Sequence, residues 1–177
     1  MRKRNSERGS QMLEFTLIGI PLTFLLFSIA NMCLAMLTLH TLQESVEQGA
    51  RYVVTRGSTC SSGTNSCAAT FQQIVRVIAN NAPGISPGKL SVTLTSASGT
   101  AISCSPASNC LAGTCTPDCA TVWPTSTNSD SSPGKDIIIT ADVALNAPMF
   151  MFWTGAGSGS NITSTHFYAY SRQRLMF

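Results

Sequence analysis

The spacing of apolar and polar positions outlines the elements. Phe15 to Leu39 carries no charged residue and is apolar almost throughout. At about 1.5 Å per residue, a helix of that length exceeds the roughly 30 Å hydrocarbon core of a bilayer. Pro21 lies inside it and predicts a kink or one loosened turn, which membrane helices tolerate. The stretch TLQESVEQGARYVV then sets Leu42, Val46, Ala50, Val53 and Val54 at helical spacing, with Glu44, Glu47 and Arg51 between them. The pattern predicts one long helix from about Gln11 to about Arg56, apolar all round in front and amphipathic behind. Gly57, Ser58 and Thr59 close it.

A second helix is predicted in AATFQQIVRVIANNAPG, where Phe71, Ile74, Val75 and Ile78 form one apolar face and the Asn-Asn-Ala-Pro-Gly run stops it. After ISPG the period changes to two, with Leu90, Val92 and Leu94 alternating in KLSVTLTS and TAISC as a short return strand. A Cys/Pro/Ser/Asn stretch up to Gly134 has no period and reads as lying outside the core, held by bridges. KDIIITADVAL is the strongest strand and NITSTHFYAYSR the last. Helices followed by an antiparallel meander indicate an α+β fold, with the amphipathic half of the first helix packed on a small sheet.

Between the last two strands stand Met149, Phe150, Met151, Phe152 and Trp153, too few to span a membrane. They read as a strand end or loop packed on the core, or as an exposed patch gripping a neighbouring subunit. Gly155, Gly157 and Gly159 follow, but Ser160 occupies the third-glycine position of a dinucleotide loop and no helical pattern succeeds it, so the segment reads as a connector.

Composition sharpens this outline. The 177 residues suit one domain, and the charged fraction of 11% is about half the usual share. The net charge of +3 belongs to the first nine residues, where Arg2, Lys3, Arg4 and Arg8 face only Glu7; the remainder is balanced. That excludes a basic surface for nucleic acid and marks a topological signal: N-terminus cytoplasmic, C-terminal body outside. The apolar run is too long for a secretory signal and has no small-residue cleavage site after it, so it reads as a retained single-span anchor.

Cys33 stands in the span, whereas Cys60, Cys67, Cys104, Cys110, Cys115 and Cys119 all follow it. Six cysteines in an exported Ser/Thr/Gly-rich region read as disulfides, with 15 connectivities available. A local Cys60–Cys67 pair would close CSSGTNSC, leaving four to staple CSPASNCLAGTCTPDC. Neither C-x-x-C spacing nor a nearby histidine supports a metal site. No catalytic motif is present. His40 reads as interfacial, His166 as a strand residue without an acid–base companion, and Asp118, Asp130, Asp136 and Asp142 as scattered turn or strand-end acids. Neither an enzyme nor a cofactor is expected. Asn161-Ile162-Thr163 matches a glycosylation sequon by pattern alone and is given no role.

Basic residues, Gly9, Ser10-Gln11-Met12-Leu13, Glu14, Phe15 and a long apolar run stand in that order. The arrangement resembles the class III signal of type IV pilin-like proteins. The resemblance implies cleavage after Gly9 by a membrane prepilin peptidase, with the mature chain starting at Ser10. A carboxylate in an apolar segment is costly and needs a partner. The α-ammonium that cleavage would free at Ser10 lies at the same depth, so Glu14 of one subunit can meet the ammonium of another. The R-G start, Glu14-Phe15, the proline-containing span and GARY at Gly49–Tyr52 look like the TadE-like domain of tight-adherence pilus systems. The order of elements downstream also resembles that family, apart from the cysteine-rich insert.

That resemblance implies a type IV pilin-like, disulfide-braced fold with a leader at 1–9, a transmembrane helix at 10–40, a helix extension at 41–57 and a periplasmic α+β domain at 58–177. It further implies a minor pilin in the bacterial inner membrane. Its partners would be a prepilin peptidase, the major and other minor pilins, an assembly platform and the membrane. A pseudopilin of a type II secretion-like system and an uncleaved, membrane-anchored binding or adhesion module are the alternatives.

Overall fold

Between Ser6 and Val54 only Pro21 lacks a backbone N–H, and the chain forms a single helix, α1 (Ser6–Val54). The computed structural model describes residues 6–56, 61–62, 65–114, 119–145 and 165–176. The helix begins about five residues before the predicted Gln11. Glu7 and Arg8 are good helix formers, and neither Gly9 nor Ser10 imposes a stop. From Met12 to Leu37 the large apolar side chains of the helix are exposed. Among the described residues this is the one helix long and apolar enough to cross a membrane.

The rear half behaves as its pattern predicts. Leu42, Ser45, Val46, Ala50 and Val53 are fully buried, on the stripe expected of a core-facing helix. The buried Ser45 hydroxyl is satisfied by donating to the Leu42 carbonyl at 2.7 Å. Helix α2 (Phe71–Asn80) packs beside α1. Its start is a capping box: Gln73 N–H donates to Thr70 Oγ1 at 3.3 Å, and Thr70 N–H donates to Gln73 Oε1 at 3.1 Å. Phe71 and Gln72, whose N–H groups have no partner inside the helix, donate to the carbonyls of Thr121 and Cys119.

Two short strands, β1 (Ser61–Ser62) and β2 (Asn65–Ser66), pair with each other. The main sheet comprises β3 (Leu90–Thr95), β4 (Ala101–Cys104), β5 (Asp136–Leu145) and β6 (Thr165–Arg174). It is antiparallel throughout, in the order β4-β3-β5-β6. Leu90, Val92 and Leu94 of β3, with Ile137, Ile139, Ala141 and Val143 of β5, turn into the core. Helix α1 packs on β6 and β5. The α+β class and the packing of the amphipathic half on a small sheet therefore stand.

The stretch between β4 and β5 departs from the reading of its sequence. It is not outside the core. Its short helix α3 (Ala107–Leu111) buries Ala107 and Cys110, and Trp123, at 1% exposure, is the largest fully buried side chain among the described residues. Trp123 N–H donates to the Ala69 carbonyl at 2.9 Å, and Val122 bridges to Thr70, so the segment is stitched to the entry of α2. Single side chains enter the core from turns here, which leaves no period in the sequence. Cys104 and Cys110 form a disulfide. Cys67 and Cys119 are also disulfide-bonded, and Cys33 is free. Cys60, Cys115, Asp118, the Met149–Trp153 patch, the Gly155–Ser160 connector and the Asn161 sequon lie outside the described residues.

Candidate assembly interface

Polar side chains in the exposed front of α1 are satisfied by the helix itself. Thr16 Oγ1 donates to the Met12 and Leu13 carbonyls, Thr23 Oγ1 to Ile20 at 2.8 Å, Asn31 Nδ2 to Phe27 at 2.8 Å and Thr38 Oγ1 to Leu34 at 2.8 Å. These back-bonds let hydroxyl and amide groups sit in an apolar surround. Glu14 differs: it is exposed, and among the described residues it has no hydrogen-bond or ion-pair partner. Helical rise places it about 42 Å along the axis from Leu42, the first fully buried position. The described part of the body does not reach it. Phe15 is exposed beside it, and Gly9 and Ser10 lie one turn earlier in the same helix.

The GARY tetrad has separate physical tasks. Gly49 is where α1 meets α2: a Cβ built there would lie 2.5 Å from Ile78 Cγ1 and 3.0 Å from its Cδ1. Ala50 is fully buried, and Arg51 pairs with Glu47 at 2.6 Å on the exposed side. Arg56 stacks 4.3 Å above the Tyr52 ring, and its Nη1 donates to the Tyr52 hydroxyl at 2.9 Å. The tetrad thus lies within the buried rear half of α1, where that helix meets α2.

The acids that look scattered in sequence are placed by the sheet. Asp136 accepts from Arg172 at 2.6 Å and from Arg174 at 3.3 Å; these hydrogen bonds, Arg172 foremost, hold its carboxyl below the usual value. His166 does have a companion, contrary to its sequence reading, because β5–β6 pairing sets its Nδ1 2.9 Å from Asp142 Oδ2. Asp130 is 2% exposed. Burial pushes its carboxyl up, but hydrogen bonds from Ser96 and Ser98 and the charge of Lys135 outweigh burial and leave it lowered. Asp130 thereby ties the stretch before β5 to the β3–β4 turn. No regular spacing in the sequence signals these pairs, since they depend on strand register.

Among the described residues no group of three or more His, Cys, Asp or Glu is placed to hold a metal ion. The structure leaves Glu14 and Phe15 on the exposed front of α1 and sets Cys67, Cys104, Cys110 and Cys119 in the body, far from them.

Residues 9–51 match the family model described as TadE-like protein. The matched segment runs from Gly9 through Glu14 and the apolar span to Arg51, in the GARY tetrad. No curated protein and no solved structure matches the chain.

Proposed function

We propose that this chain, TadE-like over residues 9–51, is a minor pilin of a tight-adherence type pilus, cut after Gly9 and carried into a filament by its helix. One observation carries the reading: a single helix is buried along one stripe at its rear, while the large apolar side chains of its front, Met12 to Leu37, are exposed. Such a front needs either lipid or the helices of other subunits, and a pilin uses both in turn. The basic cluster before Gly9 supports a cytoplasmic N-terminus, with the body on the far side of the inner membrane.

Cleavage supplies the partner that Glu14 lacks. A new α-ammonium at Ser10 would stand at the depth of the carboxylate. In a bundle of parallel helices, the amine of one subunit and Glu14 of the next would neutralise each other and fix the axial register. The surrounding apolar side chains strengthen such a pair by excluding water. The prepilin peptidase, the major pilin and the assembly platform are the partners this mechanism requires.

Mass spectrometry of the chain recovered from its native membrane tests the reading. A mature N-terminus at Ser10 is expected. A chain that keeps residues 1–9 while functioning in the cell would instead make it an uncleaved, anchored binding module.

A further inference from the structure

The face of the sheet turned away from the helices is organised in rows. Strand register sets Ser103, Thr93, Thr140 and Tyr170 side by side across β4, β3, β5 and β6. The next row runs Ser91, Asp142 and Tyr168, extended by Ser105, whose hydroxyl lies 2.8 Å from that of Ser91. Neighbours within a row are about 4.8 Å apart, and the rows about 6.8 Å apart, as strand geometry requires. Each row is therefore a floor of short polar groups ending at a tall tyrosine on the edge strand.

The tyrosines are far out of the core: Tyr168 is 71% exposed and Tyr170 55%. Polar and charged side chains flank them. His166 stacks on Tyr168 with ring centroids 6.2 Å apart, and is itself fixed by Asp142. On the other side, Asp136 ties down Arg172 and Arg174. Charges on this face largely cancel, which disfavours a polyanion or an acidic membrane surface. Within these two rows the floor has no aliphatic side chain from which to build the dry centre of a protein interface; Ala101 and Ile138 stand in the row beyond Tyr170 and Ala144 in the row beyond Tyr168.

We propose that this face binds a neutral polysaccharide. The hydroxyls of Thr93 and Ser103 can both donate and accept, matching sugar hydroxyls that do the same. A tyrosine ring offers an apolar face for the C–H side of a pyranose and a polar rim for its hydroxyls. Tyr168 and Tyr170, two residues apart on one strand, are spaced to meet successive sugar units of one chain. The site requires neither leader removal nor filament assembly, so its failure and that of the pilin reading are separate results.

The test uses the full chain in a detergent without a sugar headgroup, titrated calorimetrically with neutral hexaoses of glucose, mannose and N-acetylglucosamine. Saturable binding of at least one hexaose is expected. Joint Tyr168→Ala and Tyr170→Ala substitution should weaken it at least tenfold without moving the unfolding temperature, whereas Tyr→Phe at both positions should retain most of it. Thr93→Val should weaken it severalfold. Absence of saturable binding to all three hexaoses overturns the proposal. So does binding that survives loss of both rings, tyrosine-dependent self-association in their place, or stronger binding of polyphosphate than of any hexaose.

Discussion

Gly49→Val puts the α1–α2 junction to the most direct test. The first added carbon would lie 2.5 Å from Ile78 Cγ1, whereas carbon atoms in contact rest about 3.5–4.0 Å apart. Ile78 is fully buried and has little room to retreat. Overpacking of this kind costs about 1–3 kcal/mol for a single carbon. Alanine recovers about 1 kcal/mol of that through helix propensity, so Gly49→Ala should lose only about 0–2 kcal/mol. Valine adds two further methyl groups and should reach about 3 kcal/mol, a fall of about 6–12 °C in melting temperature for a chain this size. The measurement is thermal unfolding of the full chain in micelles, followed by fluorescence of the buried Trp123 in a Trp153→Phe background. Ile78→Ala alone should cost about 2–5 kcal/mol, and combined with Gly49→Ala should cost about 1–2 kcal/mol less than the sum. A Gly49→Val chain melting within about 2 °C of the parent, with no coupling between the two sites, would refute the close approach as the reason for this glycine.

Other expectations concern separate parts of the molecule. Glu14→Ala should insert and be cut normally but enter sheared filaments roughly tenfold less well, as loss of an interaction worth about 1.4 kcal/mol implies; parental incorporation would remove the charge-pair role. Trp123→Ala should cost about 3–5 kcal/mol by the same melting assay, because the segment that carries it is core. Asp130→Asn should cost about 1.5–3 kcal/mol at neutral pH by weakening its charge-assisted hydrogen bonds. Since the folded-state pKa of Asp130 is lowered, its contribution is present above the ordinary value of 3.8 and is lost as pH falls through the folded value. The gap between Asp130→Asn and parent should therefore close in that acid range, and a gap independent of pH down to 2 would contradict the assignment.

Most of the architecture was legible because it rests on local periodicity. The 3.6-residue stripe from Leu42 to Val53 and the two-residue alternation of Leu90, Val92 and Leu94 each name the side that must leave water, and the fold obeys both. The start of α1 was misplaced because no residue before Gln11 forbids a helix. The proposal for the Gly9–Glu14 junction rests on residues adjacent in the chain, and no contact between distant elements bears on it.

By itself, then, the sequence determined an apolar helix long enough to span a bilayer, an amphipathic continuation, a β body and an acid at the helix start with nothing nearby to neutralise it. Tertiary structure alone decided that Trp123 enters the core, that Gly49 makes room for Ile78, that Asp130 pins the β3–β4 turn, and that Tyr168 and Tyr170 head rows of hydroxyls. The physical reason is separation along the chain. Helix and strand periods are set by neighbours a few residues apart, whereas these contacts join positions tens of residues distant, and only strand register and helix crossing fix which of them meet.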